Sequence, residues 1–183
     1  MTSDWQQIHV PFVELVGARV EEAQEGYSRL SLVLEERHTN PNGVSVTSEW
    51  QQIQVPFIEL VGARVEEAQE GYSRLSLVLE ERHTNPNGVM HGGVVATVMD
   101  SAAAVALGRL RGEKMRRDNP HSTVDMNVAL ISAARPGDEL VIEGRVLKLR
   151  RSVAFVEAEA RRVEDGELIA KGRFTFAISN RDS

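Results

Sequence analysis

One stretch decides the fold, His91–Leu110, which reads HGGVVATVMDSAAAVALGRL. After its opening glycines, small and branched apolar residues cover most of the circumference of a predicted helix, and the acidic residue among them is Asp100. A helix that is apolar nearly all round is a buried one. We therefore predict a buried helix from Gly92 to about Leu110, followed by a charged connection over residues 109–120.

Segments with a period of two residues, typical of strands, surround this helix. Before it, Gly62 to Glu81 predicts a β-hairpin with its turn at Glu70-Gly71. Asp165-Gly166 later in the chain predicts a two-residue hairpin turn. Four strands are predicted after the helix, over residues 122–134, 139–149, 152–163 and 168–179. Since only a sheet could cover the helix, we predict an α+β fold with a curved antiparallel sheet wrapped around a central helix.

The chain carries most of its front half twice. Residues 2–44 recur at 47–89 with 40 identities in 43 positions, at a constant offset of 45 residues. Only the second copy continues into His91-Gly92-Gly93, whereas the first continues into Ser45-Val46 and then starts again. We therefore predict a redundant, non-catalytic helix-plus-hairpin segment at 1–46 and one catalytic domain at 47–183.

Three arrangements are open for the first copy. It can form a tail, replace the second copy in its own sheet, or replace it in a neighbouring chain as a domain swap. Replacement within the chain turns residues 45–91 into a loop, at a cost in closure entropy of roughly 3–4 kcal/mol. We expect the second copy in the sheet and the first docked, as a helix and hairpin, on an exposed surface or a partner chain. An engineered and a recent natural duplication would look alike.

Composition excludes several classes of site and partner. The 183 residues include no cysteine, and the five histidines lack metal-ligand spacing, so we predict no disulfide and no metal site. The net charge is −6, with the acidic excess in the two copies, which argues against a nucleic-acid partner. We find no signal-peptide pattern and expect no apolar run of membrane-spanning length. We therefore expect a cytoplasmic protein without a membrane partner.

Residues suited to chemistry lie around the start of the predicted helix. Gly92 and Gly93 let a substrate approach the backbone, and the unpaired N–H groups of a helix N-terminus suit a developing oxyanion. Asp100 lies about two turns further on, where a carboxylate is costly unless it faces a cavity or a partner. Two simpler interpretations stay open: Asp100 caps or pairs structurally, and His91 only orients the Gly-Gly turn.

The stretch Asn85–Asp100, NPNGVMHGGVVATVMD, resembles the hotdog-fold acyl-CoA thioesterases of the phenylacetate-pathway (PaaI) type. Ser122–Asn127, STVDMN, and Gly172–Phe176, GRFTF, are similar to the same family. The resemblance runs over about residues 48–180. It implies the hotdog fold and hydrolysis of acyl-CoA thioesters to free acid and coenzyme A. The acyl groups implied are aromatic, such as phenylacetyl, or short to medium aliphatic.

The resemblance also implies a role for each matching position. Asp100 corresponds to the catalytic carboxylate, as nucleophile or as general base for water. Thr123 corresponds to the hydroxyl residue that holds water near it. The Gly92 N–H corresponds to the donor that polarises the thioester carbonyl, and Asn85 to the side chain that places the carbonyl or the water. His91, beside the donor glycine, completes the predicted catalytic set.

Assembly and cofactor use follow from the same resemblance. In this family the site spans a dimer interface, with the carboxylate and hydroxyl from one protomer and the amide and glycine from the other. We therefore expect a homodimer or a homotetramer. No cofactor is expected, since coenzyme A is part of the substrate. Arg150 and Arg151 are expected to bind its phosphates, unless they form only a solvated hairpin turn.

Two other functions are open. An acyl-thioester hydratase shares the fold but needs a His paired with an acid, and His91 is tied to the Gly-Gly turn. A non-catalytic acyl-CoA or aromatic-ligand binding protein, or a duplication variant that has lost activity, belongs to a different class. Release of thiol from acyl-CoAs separates hydrolysis from both.

Overall fold

The computed structural model describes residues 10–24, 27–33, 35 and 56–179. Within these residues the chain forms α1 (Pro11–Leu15), β1 (Arg19–Gln24), β2 (Tyr27–Ser31), α2 (Pro56–Val61), β3 (Arg64–Gln69), β4 (Tyr72–Val78), a 3₁₀ turn (Glu81–His83), α3 (Gly92–Asp118), β5 (His121–Leu130), β6 (Glu139–Leu149), β7 (Val153–Arg162) and β8 (Leu168–Ile178). The hairpin before the central helix and the four strands after it are present, as predicted.

The described strands form two antiparallel sheets. β1 pairs with β2, and a six-stranded sheet has the order β3-β4-β6-β7-β8-β5. All six strands of the larger sheet contact α3, so this sheet wraps the helix. The predicted fold, an antiparallel sheet around a long central helix, is confirmed.

Small residues allow α3 to lie close to the sheet. A Cβ added at Gly144 on β6 would lie 2.7 Å from the backbone of Ala102. Ser73 on β4 donates its hydroxyl to the carbonyl oxygen of Ala102 at 2.7 Å. Both contacts are made at Ala102, two residues after Asp100. They hold this part of α3 against the sheet and so help to position the Asp100 carboxylate.

The central helix is apolar enough to resemble a membrane span. By length and composition alone, Gly92–Gly112 could cross a membrane, contrary to the expectation that no such run exists, because its three charged residues, Asp100, Arg109 and Arg111, do not make the segment polar. In this fold the segment is the core helix, and its side chains fill the inside of the sheet. Those that are fully buried include Val94, Val98, Met99, Ala102, Ala103 and Leu107.

Two local predictions are wrong. Residues 109–120 form no connection, because α3 continues to Asp118, with a break at Gly112 where φ is 72°. The charged residues there are good helix formers.

The loop between β7 and β8 spans residues 163–167 and is therefore longer than the predicted two-residue turn. The Asp165 carboxylate accepts the Glu167 N–H at 3.0 Å, an Asx turn that lengthens the loop.

In their described residues, the two copies form corresponding helices and hairpins in different places. Each hairpin shifts register at the same position, after Val20 in the first copy and after Val65 in the second. The second copy's β4 pairs with β6 in the larger sheet. The first copy's α1 packs against the 3₁₀ turn, where Phe12 is buried. The domain division between residues 46 and 47 stays a prediction, since it lies outside the described residues.

Candidate functional site

Asp100 and Thr123 form the centre of the site. Thr123, on β5, donates its Oγ1 hydroxyl to Asp100 Oδ1 at 2.7 Å. Burial raises the pKa of the Asp100 carboxyl above its usual range, and the hydrogen bond from Thr123 offsets part of this rise. A carboxylate with a raised pKa is a stronger base than an ordinary aspartate. The structure therefore places together the acid and the hydroxyl that the family resemblance paired.

β5, which carries Thr123, lies at an edge of the larger sheet. Its register against β8 shifts between Thr123 and Asp125, which inserts one extra residue next to the site. The strand and its end leave large apolar side chains at least half exposed, namely Val124, Met126, Leu130 and Ile131. An exposed apolar edge strand favours pairing with another chain.

The expected backbone donors lie in the first turn of α3. The Gly93 N–H donates to His91 Nδ1 at 3.0 Å, and the Val94 N–H donates to the His91 carbonyl oxygen at 2.9 Å. Within the described part of the chain, the Gly92 N–H has no hydrogen-bond acceptor. This N–H is therefore placed to bind a substrate oxygen. A Cβ at Gly92 would lie 2.7 Å from Leu130 Cδ1, so there is little room beside the donor.

His91 caps the helix with its side chain. Because Nδ1 accepts the Gly93 N–H, the neutral ring carries its proton on Nε2. The ring stacks on Phe12 with a centroid distance of 4.9 Å, and burial lowers the pKa of His91. These contacts support the interpretation that His91 orients the Gly-Gly turn.

Asn85 lies in the turn that precedes the helix. Its side-chain Oδ1 accepts the Asn87 N–H at 2.8 Å, and its backbone N–H donates to the Val89 carbonyl oxygen at 2.8 Å. The side-chain oxygen is thus engaged in an Asx turn within this chain. The structure brings Asn85 to the approach of α3, but the hydrogen bonds it forms lie within the turn.

A single chain does not assemble these groups around one substrate. Gly92 and Asp100 are eight residues apart on α3, which is about 12 Å along the helix axis. An oxyanion donor has to lie about 3 Å from the oxygen it stabilises. The donor and the carboxylate of the same chain therefore cannot act on the same carbonyl group.

His83 positions the turn before α3, and no sequence pattern identified it. Its buried ring accepts the Glu80 N–H at Nδ1, at 3.0 Å, and donates from Nε2 to the Val61 carbonyl oxygen at 2.9 Å. Its own carbonyl oxygen accepts the His91 N–H at 2.8 Å. Burial lowers the pKa of this ring, so it stays neutral. His83 thus connects α2 to the residue that caps the central helix.

Arg150 and Arg151 line one pocket of about 410 Å³, at the end of the sheet where Leu110 and Ile178 lie. Arg111, also in its wall, is buried and donates to the Asn119 carbonyl oxygen at 2.5 Å. Three guanidinium groups in one pocket suit an anionic ligand. Leu110, in the pocket wall, is ten positions after Asp100 on α3, which is about 15 Å along the helix axis.

Among the described residues, no group of three His, Asp or Glu side chains is arranged to hold a metal ion.

Comparison with known proteins identifies the family. A family model described as the thioesterase superfamily matches residues 87–169. The crystal structure of zebrafish thioesterase superfamily member 2 is similar with a TM-score of 0.59 and 34% sequence identity, over 64% of this chain and 82% of that one. The chain belongs to the thioesterase superfamily.

Two further proteins are similar to this thioesterase-superfamily chain. It is 38% identical over 91 residues to acyl-coenzyme A thioesterase 13 of Mus musculus, a match that covers 50% of this chain and 61% of the mouse protein. The chain thus matches less than two thirds of that relative's length. The PaaI protein of E. coli has a TM-score of 0.60 at 14% identity, over 68% of this chain and 84% of that one, a likeness of fold alone. The phenylacetate-pathway type stays a prediction.

Proposed function

We propose that the chain hydrolyses acyl-CoA thioesters to a free acid and coenzyme A. The observation that carries this proposal is the Asp100 carboxylate, set in the core helix with a raised pKa and held by the Thr123 hydroxyl at 2.7 Å. The similarity to a protein named acyl-coenzyme A thioesterase 13 supports the reaction class.

The proposed site needs two copies of the chain. Asp100 and Thr123 of one protomer act with the Gly92 N–H of the partner subunit, because their own Gly92 lies about 12 Å away along the helix. The exposed apolar edge at β5 supports such pairing, and it lies directly beside the carboxylate. A homodimer, or a tetramer of two such dimers, follows from this proposal.

Two courses of the reaction fit these contacts. In both, the Gly92 N–H binds the thioester oxygen and stabilises the negative charge that develops on it. Asp100 either attacks the carbonyl carbon, giving an acyl-aspartyl anhydride that water then hydrolyses, or removes a proton from water, whose oxygen attacks. In each course the carbon–sulfur bond breaks, a carbon–oxygen bond forms, and coenzyme A leaves as the thiol once it takes up a proton.

The basic pocket supports binding of the coenzyme A part. Arg150 and Arg151 bind its phosphates in this proposal, with Arg111 in the same wall. This pocket is about 15 Å along α3 from Asp100. The pantetheine arm of coenzyme A, which links the phosphates to the thioester, would span this distance. Hydration of an enoyl thioester is less well supported, because His91 uses Nδ1 in the helix cap.

Thiol release from a panel of aromatic and aliphatic acyl-CoAs tests the proposal. We expect the wild type to release thiol and Asp100→Asn to lose about 10²- to 10⁴-fold in kcat. Asp165→Asn, an exposed aspartate in the loop between β7 and β8, serves as the matched control and should behave as wild type. Equal release by wild type and Asp100→Asn contradicts the proposal. Binding of acyl-CoA without release by the wild type indicates a non-catalytic binding protein instead.

A further inference from the structure

The first copy of the duplicated segment reaches the turn where the central helix begins. Phe12 on α1 is only 8% exposed, and it belongs to the same hydrophobic core as Val94 and Val98 of α3. Leu15 and Val16 of the same segment are partly buried against this core. The segment is therefore packed on the catalytic domain through its helix.

Phe12 meets the turn at two adjacent residues. Its ring stacks on the His91 ring at a centroid distance of 4.9 Å and an interplanar angle of 30°. Its Cε1 atom would lie 2.8 Å from a Cβ added at Gly93. Because His91 and Gly93 flank Gly92, the aromatic ring contacts both neighbours of the residue whose N–H binds the thioester oxygen in the proposed reaction.

Two large side chains lie against the glycine pair. Leu130 lies against Gly92, with its Cδ1 2.7 Å from a Cβ added there, and Phe12 lies against Gly93. A carbonyl oxygen bound to the Gly92 N–H brings the carbonyl carbon and its attached atoms into the space beside this pair. A branch on the acyl carbon next to the carbonyl is therefore expected to contact Leu130 and Phe12.

We propose that Phe12 determines acyl specificity, by forming with Leu130 a narrow wall that favours acyl groups unbranched next to the carbonyl. The inference rests on the proposed thioester hydrolysis. It assigns a role in the site to a residue of the first copy, which carries neither the glycine turn nor the carboxylate. The corresponding residue of the second copy, Phe57, is less buried and lies in α2.

Full-length variants with two acyl-CoAs of equal carbon number test this role. We expect Phe12→Ala to raise kcat/KM for isobutyryl-CoA relative to butyryl-CoA about 10-fold, since one branch in a tight apolar pocket is worth roughly that factor. Phe12→Leu, which keeps a buried apolar side chain and so preserves folding, should raise the ratio less. Leu30→Ala, in the exposed hairpin of the same segment, should leave it unchanged. An unchanged ratio in a folded Phe12→Ala overturns the inference.

A binding experiment separates this inference from the hydrolysis proposal. Butyl-CoA and isobutyl-CoA thioethers, which cannot be hydrolysed, are titrated calorimetrically into wild type and Phe12→Ala. We expect Phe12→Ala to gain affinity for the branched thioether by about the same factor, whether or not thiol is released. If the wild type releases thiol but both proteins have the same affinity ratio for the two thioethers, the role of Phe12 is overturned and hydrolysis stands. If the affinity ratio shifts in Phe12→Ala but the wild type releases no thiol, hydrolysis is overturned and the role of Phe12 in binding stands.

NMR of the His91 ring checks the contact itself. In the wild type the ring is stacked and partly buried, which lowers its pKa. Removing the Phe12 ring admits water, so the His91 pKa should rise in Phe12→Ala, and it should not change in Leu30→Ala. An identical His91 titration in wild type and Phe12→Ala overturns the contact on which the inference depends.

Discussion

The two copies of the duplicated segment have nearly the same sequence and different surroundings. Their hairpins pair in equivalent register, with the same irregularity in the same place. Yet Leu30 of the first copy is 50% exposed, and the equivalent Leu75 of the second is fully buried. We infer that residue pattern determines the hairpin, whereas connection to α3 determines which hairpin pairs into the six-stranded sheet.

The largest expected effect comes from the same mutation made in each copy. Leu75→Ala should lower the free energy of unfolding by about 2–5 kcal/mol, because it leaves a cavity in the core. Leu30→Ala should change it by no more than about 0.5 kcal/mol, because the side chain is half exposed. Denaturant titration measures both. Equal losses would mean that the two hairpins share the place in the sheet.

His83 tests how the second copy holds the start of the central helix. Burial lowers the pKa of its ring in the folded state, so the unfolded chain binds a proton more readily. Stability should therefore be full above the ordinary histidine pKa, about 6.5, and fall as the pH drops below it. His91, whose pKa is also lowered, adds in the same direction.

His83→Asn removes one of these titrations and two buried hydrogen bonds. We expect a loss of about 1–3 kcal/mol at neutral pH and a smaller decline of stability in acid. His38→Asn, at the equivalent position of the first copy, is the matched control. Urea titrations from pH 5 to pH 8 give both quantities, and an unaltered acid decline in His83→Asn would contradict the assignment.

Thr123 gives the smallest effect, a shift in a pH profile. Its hydroxyl stabilises the charged form of Asp100, so Thr123→Val should raise the pKa of that carboxyl further. In the proposed reaction Asp100 acts as the carboxylate, so activity should fall as the pH drops through this pKa. The acid limb of kcat/KM should therefore move to higher pH in Thr123→Val and stay in place in Thr123→Ser. If the acid limbs of Thr123→Val and Thr123→Ser lie at the same pH, the hydrogen bond has no influence on the pKa of the carboxylate.

The sequence predicted the parts of this molecule that depend on local pattern. The apolar helix after His91 and the strands that cover it follow from periodicity, and Glu139–Leu149 was predicted with the bounds that the structure has. The pairing of Asp100 with Thr123 came from resemblance to a family, and the structure shows their hydrogen bond.

Contacts between distant surfaces could not be predicted in this way. Phe12 and Phe57 have the same flanking residues on one side, Val-Pro, but only Phe12 stacks on His91. No periodicity distinguishes them, because the difference arises from which surface each segment meets. The ring of His83 likewise finds its partners in Glu80 and Val61 only after α2 has packed. The Asx turns at Asn85 and Asp165 depend on side-chain rotamers that turn composition does not specify.

The shared site between two protomers is the central claim, and mixing two inactive variants tests it most directly. Asp100→Asn removes the carboxylate. Gly92→Pro removes the donor N–H at the first helical position, where proline is well tolerated, and should lower kcat about 10²- to 10³-fold. Gly92→Ala adds a Cβ and keeps the N–H, so it controls for the crowding against Leu130.

The two variants are co-expressed with different tags, and the mixed dimer is isolated and assayed for thiol release. In a mixed dimer one of the two sites receives an intact carboxylate from one protomer and an intact donor from its partner. We predict that the mixed dimer recovers about half of the wild-type activity per dimer, as two-fold symmetry requires. A mixed dimer as inactive as its parents would contradict the claim, since each site would then be built within one chain.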